Sequence, residues 1–79
     1  MKIIVYGTGC SKCKALENSV KKVIDKLGVD AEIIKIEEID KIIEAGILSS
    51  PGLSIDGEMK VAGRVPSSHE IEKWIKAKM

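Results

Sequence analysis

Aromatic side chains are nearly absent from this chain, which holds one tyrosine, one tryptophan and no phenylalanine among its 79 residues. The net charge is only +1, and charges of both signs are interspersed along the sequence. Proteins that bind nucleic acid rely on aromatic stacking or on a basic stripe, and this chain has little of either. We therefore expect no nucleic-acid partner.

Long apolar runs are also missing. A helix that crosses a bilayer needs about 20 consecutive apolar residues, and no run here approaches that length. Met1 and Lys2 lead directly into a predicted strand, without the separate apolar region of a secretory signal peptide. The hydrophobic share of 44% is still enough for a folded core. We expect one cytoplasmic domain over residues 1–79, with no membrane partner.

Cysteine and histidine are scarce, with two cysteines and one histidine in the chain. Zinc takes four ligands, whereas Cys10, Cys13 and His69 supply three at most, so we expect no metal site. A disulfide that closes two intervening residues restricts the unfolded chain very little, and structural disulfides rarely persist in the cytosol. The cysteine pair is therefore interpreted as chemically active rather than as a structural crosslink.

The two cysteines follow a nearly continuous apolar run over residues 2–6 and precede a predicted helix. The start of a helix carries a partial positive charge, which favours thiolate over thiol. We expect the pKa of Cys10 to lie below the unperturbed value of about 8.5. Lys12 would lower it further by charge attraction. Cys13, one turn along, would attack the mixed disulfide that Cys10 forms.

The helix after the cysteines has a clear apolar stripe, and its opposite face is polar and includes Glu17. In the next strand, Glu32 and Lys35 favour an edge position. Asp56-Gly57 predicts a type I′ hairpin turn, and Ser67 with Glu70 predicts a capping box for the last helix. The periodicity predicts strands over 2–6, 31–36, 53–55 and 58–62. It predicts a first helix that starts at residue 10 or 11 and ends at 27, a second over 38–45, and a third after 67.

The resulting order, β-α-β-α-β-β-α, resembles the thioredoxin fold without its N-terminal strand and helix. Three features carry the resemblance: Cys10-Ser11-Lys12-Cys13 at a strand-to-helix turn, Ser50-Pro51 before the third strand, and Gly63 after the fourth. It implies an α/β, thioredoxin-like domain of minimal size, with a four-stranded mixed sheet and three helices.

A narrower resemblance covers Tyr6–Cys13, Glu44–Gly46 and Pro51–Glu58. These segments are similar to those of a family of small archaeal and bacterial redox-active disulfide proteins. The resemblance implies a thiol–disulfide oxidoreductase, a thioredoxin-like reductase of protein disulfides. Its partners would be disulfide-containing proteins and an electron-donating reductase such as a thioredoxin reductase. No organic cofactor is implied, because the cysteines carry the electrons, and we expect a monomer.

The resemblance also implies a role for each matching residue. Cys10 would be the exposed attacking thiol and Cys13 the buried resolving thiol. Pro51 would follow a cis peptide bond and face the disulfide, while the Ser50 backbone would pair with bound substrate. Gly63 would allow close approach of the substrate chain.

The chain departs at several positions from the patterns of the families that it resembles. Ile4 stands where thioredoxins have a buried aspartate, so a different group, or water, must handle the proton of Cys13. Gly9 replaces the tryptophan that usually precedes the first cysteine. Glutaredoxins follow the late glycine with a second glycine and acidic residues that hold glutathione. Here Gly63 is followed by Arg64, which disfavours efficient use of glutathione.

A Cu(I) carrier is the alternative hypothesis, because two thiolates suffice to hold Cu(I). Copper chaperones are of similar size, with a Gly-Met-x-Cys-x-x-Cys loop before a helix and the order β-α-β-β-α-β. Here Thr8 and Gly9 replace the methionine position, and the chain ends in a predicted helix. The sequence therefore favours redox chemistry over copper transfer.

Overall fold

The computed structural model describes residues 1–7, 11–47 and 51–78, and within them the chain forms three helices and four strands in the order β-α-β-α-β-β-α. This order confirms the one predicted from sequence. The strands are β1 (Lys2–Tyr6), β2 (Glu32–Ile36), β3 (Gly52–Ile55) and β4 (Glu58–Ala62), and the helices are α1 (Ser11–Leu27), α2 (Ile39–Glu44) and α3 (Ser68–Lys78).

Most element boundaries agree with the predicted ones to within one residue. Strand β2 begins one residue later than expected, and β3 begins one residue earlier, at Gly52. Helix α2 is shorter than predicted by one residue at each end, because Glu38 and Ala45 are its capping residues rather than part of it. The sequence also predicts an apolar face of the last helix formed by Ile71, Trp74, Ile75 and Met79, of which Met79 lies outside the described residues.

The sheet has the strand order β2-β1-β3-β4, with β1 parallel to β2 and antiparallel to β3. It is therefore mixed, as expected, and β2 lies at an edge, as its charged residues predicted. Strand β1 is central and is covered on both faces, which explains its nearly continuous apolar sequence. Its end, at Tyr6 and Gly7, leads toward the cysteines.

Each face of the sheet carries its own apolar cluster. The larger cluster joins α1 and α3 to the face that presents Ile3 and Val5. The smaller one joins α2 to the face that presents Tyr6, with Ile4 packed against it. The larger cluster consists of Ile3, Val5, Leu16, Val20, Val23, Leu53, Ile55, Val61, Ile71 and Ile75.

Among the described residues, no helix has the length and apolar character needed to cross a bilayer.

The β3–β4 hairpin turns at Asp56 and Gly57, whose φ angles are +50° and +83°. Both are positive, as the predicted type I′ turn requires. Asp56 also fixes the start of β1, because its Oδ1 accepts a hydrogen bond from the Lys2 N–H at 2.7 Å and its own N–H donates to the Lys2 carbonyl at 2.7 Å. Further along, the pairing of β3 with β4 shifts between Leu53 and Ser54, which leaves Lys60 as an extra, bulged residue in β4. The bulge interrupts the regular alternation of side chains between the two faces of β4.

Replacing Gly57 by alanine tests the hairpin geometry. A Cβ at this position meets nothing within 4 Å, so any cost is conformational rather than steric crowding. We expect Gly57→Ala to lower the free energy of unfolding by about 1–2 kcal/mol, the cost of a left-handed backbone for a residue with a Cβ. Gly57→Asn is the control and should lose less, because asparagine tolerates this conformation. Urea unfolding measures both, and equal stability of Gly57→Ala and wild type would contradict the turn assignment.

Candidate active site

Cys13 lies in the first turn of α1 with its side chain turned into the protein, where it is 6% exposed. This burial agrees with what a resolving thiol needs. Lys12, beside it in the same turn, is exposed. Cys10 lies outside the described residues, so its attacking role, its lowered pKa and the effect of Lys12 on it stay predictions.

Gly7 packs directly against Cys13. A Cβ built on Gly7 would lie 2.8 Å from the Cys13 Cβ and closer still to its Sγ, so no larger residue fits unless the thiol moves. The Gly7 N–H donates a hydrogen bond to the Ile36 carbonyl at 2.9 Å, which continues the pairing of β1 with β2. The sequence suggests Gly7 only as a turn residue, and its contact with the thiol emerges from the fold.

A small pocket of about 30 Å³ opens beside Cys13, between α1 and the β1–β2 edge of the sheet. Ile4 packs on the other face of the sheet against the Tyr6 cluster and supplies no charge. The charges of the pocket come instead from other elements. Its lining residues are Val5, Gly7, Cys13, Lys14, Glu17, Lys35 and Glu37.

Glu17 is the most enclosed of the charged lining groups, with a side chain that is 14% exposed. Lys35 Nζ lies 3.5 Å from its Oε1, and Lys21 Nζ lies 3.6 Å from its Oε2. Lys35 also contacts Glu37, at 3.6 Å. Ion pairs of this kind contribute under about 1 kcal/mol to stability, so their main consequence is to fix where the carboxylate sits.

The sequence pattern does not reveal the ion pair between Glu17 and Lys35, since it indicates only that Glu17 is on the polar face of α1 and that Lys35 marks an edge strand. The spacing of four residues between Cys13 and Glu17 does predict that these two side chains share one face of the helix. The position of Lys35 depends on the pairing of Val5 with Lys35 across β1 and β2, which periodicity does not predict.

Pro51 and Gly63, two of the predicted substrate-binding residues, lie side by side. The Gly63 N–H donates a hydrogen bond to the Pro51 carbonyl at 2.8 Å. Pro51 is fully buried, whereas Gly63 is exposed and has a φ of +88°. Ser50 lies outside the described residues, and so does the peptide bond that it shares with Pro51. The fold brings Pro51 and Gly63 together, while their role in binding stays a prediction.

The loop after Gly63 is fastened to the start of α3. Arg64 donates from Nη2 and Nη1 to the Glu70 carboxylate, at 2.8 and 3.3 Å. The Arg64 guanidinium, and then the Ser67 N–H, lower the pKa of Glu70 below its ordinary value. The Glu70 N–H donates to Ser67 Oγ at 3.2 Å, which confirms the predicted capping box. Arg64 thus positions the loop that carries Gly63.

Comparison with known proteins decides the family. The family model described as a thioredoxin domain matches residues 1–76. The chain belongs to the thioredoxin domain family. The resemblance seen in the sequence is thereby confirmed.

Two archaeal thioredoxins are similar to this thioredoxin-family chain over most of its length. One, from Methanothermobacter thermautotrophicus, is 52% identical over 73 residues, which cover 92% of this chain and 95% of the relative. The other, from Methanocaldococcus jannaschii, is 37% identical over 75 residues, which cover 95% of this chain and 86% of the relative.

Solved structures of thioredoxins confirm the fold. Thioredoxin 1 of Thermosipho africanus matches with a TM-score of 0.67 and 24% identity, over 99% of this chain and 93% of the other. Thioredoxin-2 of the malaria parasite matches with a TM-score of 0.68 and 18% identity, over 96% of this chain and 81% of the other. Both share the mixed sheet and surrounding helices predicted here.

The thioredoxin-family protein is a thiol–disulfide oxidoreductase, as membership and the 52% identity to a named thioredoxin establish. As a member of this family it exchanges electrons with disulfide substrates and with a reductase. The Cu(I) carrier hypothesis gains no support from these matches.

Replacing Gly7 by alanine tests the contact between β1 and the thiol of this thioredoxin-family protein. The added Cβ would overlap Cys13, so the thiol or the start of α1 must shift. We expect insulin-disulfide reduction to fall at least about tenfold, since a misplacement of about 1 Å costs up to ~10²-fold.

Gly28→Ala is the matched control. Gly28 has a φ of +65° and open space around it, so alanine there costs stability through backbone strain at the far end of α1. Both variants should unfold more easily, but only Gly7→Ala should lose activity. A Gly7→Ala protein as active as Gly28→Ala would show that the contact is not needed.

Proposed function

We propose that this oxidoreductase works through a dithiol–disulfide couple formed by Cys10 and Cys13. The observation that carries the proposal is the burial of Cys13 in the first turn of α1, against the end of the central strand. The Cys10 thiolate attacks a substrate disulfide and forms a mixed disulfide. Cys13 then attacks the Cys10 sulfur, which releases the reduced substrate and leaves the Cys10–Cys13 disulfide.

The charges at the start of α1 support Cys10 as the attacking thiolate. The first turn of α1 contains no acidic residue, and Lys12 lies in it. The partial positive charge of the helix start is therefore not offset by a neighbouring carboxylate in that turn. Both terms favour the ionised form of a thiol placed at the helix start.

We propose that the substrate binds along a surface formed by Ser50 and Pro51, before β3, and by Gly63, after β4. In this arrangement the Ser50 backbone pairs with an extended substrate segment beside a cis Ser50–Pro51 bond. The hydrogen bond between Gly63 and Pro51 supports the idea, because it places an exposed residue without a side chain next to the proline. A substrate backbone can approach closely at such a position.

We also propose a cellular setting for this activity. Residues 1–79 act as one domain and as a monomer in the cytoplasm, on protein disulfides. An electron donor such as a thioredoxin reductase restores the dithiol. The two cysteines carry the electrons themselves, so the cycle needs no organic cofactor.

Single serine variants of the two cysteines test the assigned roles. Cys13→Ser should accumulate a mixed disulfide with insulin, or with proteins of a cell extract, because the attacking thiol remains and nothing resolves the adduct. Cys10→Ser should accumulate none, and it is the matched control because it also keeps a single thiol. A non-reducing gel shows the adducts, and equal trapping by both variants would refute the order of attack.

A further inference from the structure

Cys13 and Glu17 line one small pocket. We infer that Glu17 accepts the proton of Cys13 during resolution of the mixed disulfide, through water held in that pocket. The inference rests on the proposed role of Cys13 as the resolving thiol, and it assigns the proton of that thiol to a named group.

A thiol must lose its proton before it attacks a disulfide, since the thiolate is the nucleophile. Cys13 is only 6% exposed, so bulk solvent has little direct access to it. Ile4, on the opposite face of the sheet, offers no acceptor. An acceptor close to the thiol is therefore needed for fast resolution near neutral pH.

Helix geometry places Glu17 within reach of the thiol. Residues four apart on a helix lie on the same face, with Cβ atoms about 5–6 Å apart. Cys13 and Glu17 have this spacing on α1, and both contribute to the pocket wall with Val5 and Gly7. The pocket volume of about 30 Å³ has room for a water molecule. Proton transfer through one water is an accepted geometry for a general base.

Two lysines hold the Glu17 carboxylate in place. Lys35 contacts Oε1 from the neighbouring strand, and Lys21 contacts Oε2 from the next turn of α1. The other charged groups that face the pocket are Lys14 and Glu37. Glu37 has a side chain that is 58% exposed and pairs with Lys35, so it lies toward solvent. Glu17 is thus the enclosed carboxylate of the pocket.

Cys13 Sγ forms a bond to Cys10 Sγ while the bond from Cys10 to the substrate sulfur breaks, and the substrate sulfur leaves with the electron pair. The Cys13 proton passes to Glu17 and from there to solvent or to the departing thiolate. The cysteine pair is oxidised by two electrons, and the substrate disulfide is reduced. When a reductase restores the dithiol, the Cys13 thiolate takes up a proton from solvent by the same route in reverse, through Glu17.

Reaction of the reduced protein with Ellman's reagent separates the two chemical steps. The first coloured thiolate is released when Cys10 attacks the reagent, and the second when Cys13 resolves the adduct. We expect Glu17→Gln to slow the second release by ~10²-fold near neutral pH, the lower end of what a general base contributes. The first release should stay unchanged. The rates should converge at high pH, where hydroxide ionises the thiol, and Glu17→Asp should restore part of the loss.

Glu72→Gln is the matched control. Glu72 is 18% exposed and is held by Lys76 from the next turn, at 3.1 Å, and by Lys26 from another element, at 3.3 Å. Glu72 lies on α3, away from the pocket, and is held by two lysines as Glu17 is. The Glu72→Gln protein should therefore release both thiolates at the wild-type rates.

Two results would overturn the inference. One is a second release in Glu17→Gln as fast as in Glu72→Gln near neutral pH. The other is an equal slowing at every pH, which would indicate a structural role only. A wild-type protein that releases a single thiolate is a different result, since it would refute the Cys10–Cys13 couple and the inference with it.

Discussion

The close contact between Gly7 and Cys13 is the constraint on which the rest of the site depends. Gly7 ends the central strand and continues its hydrogen bonding to β2, while Cys13 begins the buried stripe of α1. Because no Cβ intervenes, the thiol lies directly against the end of the sheet. The apolar clusters on both faces of the sheet hold β1 and α1 in place. The packing of the core therefore also fixes the contact between Gly7 and Cys13.

The first two turns of α1 differ in their charges. The first turn of α1 holds Lys12 and no acidic residue, which favours a thiolate at the start of the helix. One turn further, Glu17 lines the same small pocket as the buried Cys13, and its carboxylate pairs with Lys35 from β2. In the proposed mechanism, this one helix provides a positive field for attack and a proton acceptor for resolution. Strand β1 has no acidic residue, and the proposed acceptor comes from α1 instead.

Local patterns predicted the fold well because each one has a local cause. The stripe of α1, the Asp56-Gly57 turn and the Ser67–Glu70 capping box each depend on residues close in sequence, and all three are present. The meeting of Glu17 with Lys35 depends on the pairing of two strands and could not be read from periodicity. The bulge at Lys60 likewise results from sheet pairing. The roles of Cys10 and Ser50 remain predictions from sequence, because both residues lie outside the described part of the chain.

We propose that Cys10 and Cys13 form one two-electron couple. Equilibration of the protein in a series of dithiothreitol redox buffers, with thiols counted and masses measured at each potential, tests this couple. We expect one transition in which two thiols and two hydrogen atoms are lost together within a monomer, with tenfold changes in the ratio of dithiol to disulfide every ~30 mV. Thiols that are lost independently, or only through crosslinked dimers, would contradict it.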